Sequence, residues 1–303
     1  MNIAAQIIAR RASRAATAST GFLIFDTESI PNGELLAQTC YPNENLPPEQ
    51  AIQRARAEAK ATSRDGSDFL PVTYHLPVAV CVIRVGTDFT LQRLACLGAP
   101  EYHPATIVKQ FWRGVEHYSN AKLVTFNGRG FDLPLMELAA FDQRLSIPQY
   151  LSRCRNRFQG QHIDLMDWLS NYGAYRLTGG LNLLAKRGLV PPGCGKMEVA
   201  GDLVYEMYRQ GKRQEINDYC LFDTLDTYFV FLRTRLMLGE FDACHEDRLY
   251  AQARSYLVET SADFPALKLY LQQWDRTRQL PSLLTNAKLS HEISLSPQTE
   301  CTG

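Results

Sequence analysis

The 303-residue chain carries no excess of charge of either sign, since Lys+Arg and Asp+Glu both number 32. A protein that coats nucleic acid without regard to sequence is strongly basic, so that class is excluded, although a local basic groove is not. Long apolar runs are missing too, which leaves no candidate for a membrane-spanning helix. The eight cysteines, at 40, 81, 96, 154, 194, 220, 244 and 301, form no C-x-x-C pair, and no histidine stands at zinc-finger spacing from them. No secretory signal is legible, so they read as reduced core or surface thiols. The first twenty residues contain three arginines and no acid. That composition suits a short N-terminal arm over 1–20 on a cytoplasmic protein, and it equally suits an amphipathic mitochondrial transit peptide.

What is present is an ordinary globular balance, 45% hydrophobic and 21% charged, sufficient for one large domain or two small ones. The apolar run 22–25 leads into Asp26 and Glu28 and reads as a strand. Residues 32–75 are polar, with one short helix expected after Pro47-Pro48 and loop elsewhere. Two strands, 78–85 and 89–98, flank a hairpin signal at Gly86-Thr87-Asp88. The stretch 104–119 has helical periodicity, with Ile107, Val108, Phe111, Trp112 and Val115 on one side. A further strand, 121–126, precedes a helix over 132–141 that has Asp132 at its N-cap position and Pro134 in its first turn. Helices are expected at 181–188, closed by Gly188, and at 201–212, 215–238 and 247–275. This order of strands, helix, strand and helices suggests an α/β domain with a mixed sheet. There is no internal repeat.

The segment 190–197, VPPGCGKM, has the look of a phosphate-cradling ATPase loop but fails its pattern. Val190 occupies the first glycine position, and Met197 replaces the hydroxyl residue after the lysine. A Pro/Gly turn is the better reading, with Lys196 retained as a candidate phosphate contact.

Three acidic motifs carry the chemistry. On a strand, Asp26 and Glu28 point to one face. Two neighbouring carboxylates repel each other, so the pair is either a solvated strand end or part of a site for a hard cation. The second motif runs from Asn127 through Gly128, Arg129 and Gly130 to Phe131-Asp132. A helix start behind two glycines offers free backbone N–H groups to an anion. Asn127 can bond a sugar or phosphate and Phe131 can pack on a base, or else Asp132 is only a cap and Phe131 only core. In the third motif Tyr219 and Asp223 stand at i and i+4 and share a helix face near the edge of its buried stripe. A carboxylate there needs a partner or a metal, whereas Asp218 and Asp226 read as solvated.

Taken in order, Asp26-Thr27-Glu28, Asn127 through Phe131-Asp132, and Tyr219 through Asp223 resemble the tyrosine-type 3′–5′ exonucleases of the DEDD group. The likeness is nearest to the proofreading domain of family B DNA polymerases and spans about residues 20–235. It implies a ribonuclease-H-like fold, a mixed five-stranded sheet flanked by helices, over 21–238. Residues 32–75 then form an insertion near the site, 239–276 a helical extension and 277–303 a disordered tail. Too few residues remain for a polymerase palm, so a stand-alone exonuclease is expected.

The resemblance implies that Asp132 and Asp223 converge on Asp26 and Glu28. Two Mg²⁺ or Mn²⁺ ions would be held there, with Asp26 bridging both. Glu28 and Asp223 would hold the ion that activates water, and Asp132 would hold the other largely through water. Tyr219 would orient the attacking water. Thr27, Asn127, Phe131, Arg129 and Lys196 are the candidate substrate contacts, with the basic run 153–157 as a further grip. The expected substrate is the 3′ end of single-stranded DNA. RNA and a catalytically silent nucleic-acid-binding module are the alternatives, and the complete set of acids speaks against the last. The segment 162–169 looks like a strand-to-helix step with no catalytic role.

Overall fold

The computed structural model describes residues 18–64, 66–187 and 202–278. Expectations that fall on 1–17, on 188–201 with Gly188, the 190–197 turn and Lys196, and on 279–303 lie outside the described residues. A five-stranded sheet is ordered β3-β2-β1-β4-β5, from β1 (Thr20–Pro31), β2 (His75–Gly86), β3 (Leu91–Cys96), β4 (Lys122–Thr125) and β5 (His162–Asp164). β1 pairs antiparallel with β2, and β2 with β3, while β1–β4 and β4–β5 are parallel. This is the mixed α/β sheet expected from the sequence.

β1 lies at the centre, and its side chains alternate between two cores. Leu23 and Phe25 pack with Ile107, Phe111 and Trp112 of α3 (Pro104–His117) and with Leu133 and Met136 of α4 (Asp132–Asp142). Ile24 packs on the other face with Cys220, Leu221, Leu225 and Tyr228 of α9 (Arg213–Met237). All five apolar residues assigned to one side of α3 are buried. The two-sided shelter explains why 23–25 reads as a continuous apolar run rather than an alternation.

α9 is buried almost all round. The sheet covers one side, and α10 (Ala243–Thr260) and α11 (Leu267–Arg278) contribute Leu249, Leu257, Tyr270 and Trp274 to the same core. The single helix expected over 247–275 is therefore two, parted where Pro265 lacks the N–H that would continue the ladder. Asp226, expected in solvent, is 1% exposed because α11 covers it, and Tyr270 donates its hydroxyl to it at 2.7 Å.

The 32–75 segment holds more structure than its composition suggests. Asn32 accepts from Leu35 N at 3.1 Å and starts α1 (Gly33–Cys40). The helix after Pro47 is α2 (Pro48–Thr62). Leu36, Tyr41, Ile52 and Leu70 close a small core of their own. A short helix missed from the sequence, α5 (Pro148–Arg153), buries Tyr150. The strand-to-helix step at 162–169 is β5 followed by α6 (Leu165–Leu169). α7 (Gly180–Arg187) and α8 (Asp202–Arg209) precede α9. Among the described residues no helix is long and apolar enough to cross a membrane.

Candidate active site

Asp26 and Glu28 are half-buried on the α9 side of β1, and Asp223 is buried on α9. Each offers a carboxylate oxygen, and these oxygens all lie within 4.8 Å of one another. The strand period of two sets the first pair side by side. Two thiol contacts then dock the helix. Cys220 Sγ donates to Asp26 O at 3.2 Å, and Cys81 Sγ, on the strand residue paired with Asp26, donates to Asn217 O at 3.4 Å. With Asn217 and Cys220 against the sheet, Asp223 is carried round to the two acids.

Tyr219 stands one turn before Asp223. Burial pushes its phenol well above the usual range, and the charges of Asp223, Glu28 and Asp26 push it further. The phenol thus sits in the field of all three acids and keeps its proton at neutral pH. Three carboxylates at this spacing repel one another unless a cation lies between them. Their hard oxygen donors suit Mg²⁺ or Mn²⁺. Asp26, Glu28 and Asp223 therefore fit a divalent ion.

Asp132 lies outside that group of three. It is the first residue of α4 rather than its cap, a position held by Phe131. Its side chain is 4% exposed and accepts the Thr27 hydroxyl at 2.7 Å. Thr27 is one residue from each acid of β1 and so faces away from them. Burial, with a contribution from the charge of Asp164, pushes the Asp132 carboxyl up to about 7 against the opposing Thr27 bond.

The turn before α4 is held by a residue that the sequence reading left without a role. Asp164 is 5% exposed. Its carboxylate accepts from Asn127 N at 3.0 Å and Arg129 N at 2.8 Å. It also caps its own helix, accepting from Met166 N at 3.1 Å and Asp167 N at 3.3 Å. Asn127 is exposed with φ 64, a left-handed conformation that asparagine tolerates better than most residues. At Gly128 a Cβ would meet Thr125 Oγ1 at 2.3 Å, so only glycine fits. Asp164 falls in the 162–169 strand-to-helix step, and nothing local to that step signals its reach back to residue 127.

The other predicted contacts divide. Phe131 is half-buried, with its ring centroid 5.8 Å from Phe69 and 6.3 Å from His75. Phe69, 49% exposed, thus brings the 32–75 segment beside the second motif. Arg129 lies 3.7 Å from Asp167, which Arg157 also pairs at 3.2 Å. Arg155 pairs with Glu137 at 3.1 Å and Arg153 donates to Asn120. These cations are engaged with side chains rather than presented as a bare basic strip.

Residues 67–274 match a family model described as a predicted 3′-5′ exonuclease related to the exonuclease domain of PolB. The matched stretch contains Asp132, Tyr219 and Asp223 and begins after Asp26 and Glu28. No curated protein matches the chain. Among solved structures it is similar to the family B DNA polymerase from the hyperthermophilic archaeon Pyrobaculum calidifontis. Identity is 13% and the TM-score 0.46, over 80% of this chain and 29% of the polymerase.

Proposed function

The chain belongs to the family of predicted 3′-5′ exonucleases related to the exonuclease domain of PolB. On that premise we propose that it releases nucleoside monophosphates from the 3′ end of single-stranded DNA by hydrolysis that depends on a pair of Mg²⁺ or Mn²⁺ ions. The observation that carries this reading is the meeting of Asp26 and Glu28 with Asp223, from a strand and a helix almost two hundred residues apart, within 4.8 Å.

In this reading Asp26, Glu28 and Asp223 would hold the cations, and Asp132, which accepts the Thr27 hydroxyl, would contribute through water. The bound cations supply Lewis-acid stabilisation of the charge that develops on the phosphoryl oxygens. Water attacks phosphorus, the P–O3′ bond of the terminal linkage breaks, and the shortened strand leaves with a free 3′-hydroxyl. Tyr219 is not the base, because burial and three nearby carboxylates hold the proton on its oxygen. Its hydroxyl instead orients the attacking water by a hydrogen bond. Phe131 and the exposed Phe69 offer aromatic faces to the terminal bases, and Asn127 offers an exposed amide to the backbone. Stacking of this kind tolerates any base, so sequence preference is weak.

The test uses 3′- and 5′-labelled single-stranded DNA and RNA with Mg²⁺, Mn²⁺ or EDTA. The expected result is single-nucleotide laddering of DNA from the 3′ end, lost in EDTA and in Asp26→Ala. Laddering of RNA in place of DNA moves the substrate to RNA. Both polymers left intact by metal-loaded protein would overturn the enzyme reading in favour of a binding module.

A further inference from the structure

The face of the sheet turned away from the three acids carries a cavity of about 550 Å³ between α3, β2 and β3. Its apolar surface comes from the half-buried Val82, Ala95 and Leu97, laid over the buried Leu23, Phe25 and Leu123. Its rim holds three arginines, Arg84, Arg93 and Arg113, and no Asp or Glu lines it. Arg84 and Arg93 are directly opposite each other in the antiparallel β2–β3 register. Arg84 is in turn opposite Leu23 on β1, which fixes the row on the α3 side. Like charges directly opposite on a sheet destabilise it, and α3 adds a third cation above them. Among the described residues none of the three forms an ion pair. Arg84 donates from Nη1 to the Tyr118 hydroxyl and lies over that ring at 5.0 Å, yet its Nε is buried with no partner.

We propose that this cavity is an anion site, separate from the catalytic acids, for the phosphate of a nucleotide whose apolar body rests on Val82, Ala95 and Leu97. An anion between Arg84 and Arg93 relieves their repulsion. Guanidinium forks match phosphate oxygens two at a time. The volume falls in the range of small-molecule sites, about 300–1,000 Å³, and an apolar floor with few polar groups is their usual make-up. The choice of a nucleotide over other phosphate-bearing ligands rests on the exonuclease reading, since that reaction releases nucleoside monophosphates and handles strands. The phosphate comes either from the free mononucleotide or from the backbone of a strand.

The experiment titrates the full chain by calorimetry in EDTA, which keeps cations from the acids. Separate arms use deoxyadenosine monophosphate, a short single-stranded oligonucleotide and inorganic phosphate. Saturable binding of the mononucleotide is expected, tighter than phosphate alone. It should weaken at least about tenfold in Arg93→Gln and in Arg113→Gln, the loss of roughly one charge-assisted contact. Both side chains are exposed, so these variants fold. Binding of the oligonucleotide without the mononucleotide, with the same arginine dependence, supports the site and assigns the phosphate to a strand. Absence of binding in every arm, or binding unchanged in both variants, overturns it. The two proposals fail separately. Asp26→Ala should keep anion binding in EDTA and lose trimming, whereas Arg93→Gln should keep trimming of a saturating short strand and bind the anion more weakly.

Discussion

Thr27 donates its hydroxyl to Asp132 at 2.7 Å, which ties the strand of the first acidic motif to the helix of the second. The bond joins the residue between Asp26 and Glu28 to the acid that stands apart from them. It stabilises the ionised carboxylate, but burial outweighs it and the carboxyl is pushed up to about 7. The first expected outcome follows from that balance. In the unfolded chain an aspartate titrates at about pH 4. Between about 4 and 7 the unfolded chain gives up a proton that the folded chain keeps, so this residue lowers stability as pH rises through that window. Asp132→Asn keeps an acceptor for Thr27 and removes the titration. Metal-free wild type should lose melting temperature relative to Asp132→Asn as pH is raised across this range. Parallel curves would show that Asp132 is not strained by burial.

Metal binding should be visible without any substrate. A cation that binds only the folded chain raises its melting temperature. Mn²⁺ is expected to do so for the wild type and to do little for Asp223→Asn, which loses one of three clustered charges. In EDTA the same variant should melt higher than wild type, because two like charges repel less than three. In the nuclease assay it should be slower by roughly 10²–10³-fold. Equal melting shifts with Mn²⁺ in both proteins would remove Asp223 from the site.

Tyr219→Phe deletes a hydroxyl and leaves the ring in its packing. If the hydroxyl orients water, the turnover number falls by roughly one to two orders of magnitude, as for a misplaced reactant. Melting temperature, the Mn²⁺ shift and KM should stay near wild type. An unchanged turnover number would take the residue out of the mechanism.

Asp164 takes four backbone donors, so Asp164→Ala leaves the 127–129 turn and the start of α6 without acceptors. A cost of about 2–4 kcal/mol is expected from denaturant unfolding. Asp164→Asn, which keeps one acceptor oxygen, should cost roughly half. If alanine costs no more than a typical surface change, about 0.5 kcal/mol or less, the turn does not depend on Asp164.

The spacing of two on a strand and four on a helix was enough to place Asp26 beside Glu28 and Tyr219 beside Asp223, because those relations are set by local geometry. The stripe on α3 was legible for the same reason. Relations that cross the chain were not. Asp226 has the pattern of a solvated acid until α11 is laid over it. Asp164 belongs to a plain strand-to-helix step until the 127–129 turn reaches it. Asp132 was read as a cap from its place before a helical run, and a shift of one residue with a bond to Thr27 gave it a different task. Phe69 sits in a polar stretch with no periodicity, and nothing local points it at Phe131.

Cys220 and Asp26, which touch through sulfur and carbonyl oxygen, are 194 positions apart. Contacts of such long range form late, after most of the polymer has been arranged. A chain still emerging from the ribosome carries Asp26 and Glu28 long before it carries Asp223. Its three acids cannot gather until α9 exists and has docked, so the cluster is assembled only once most of the described chain has been made.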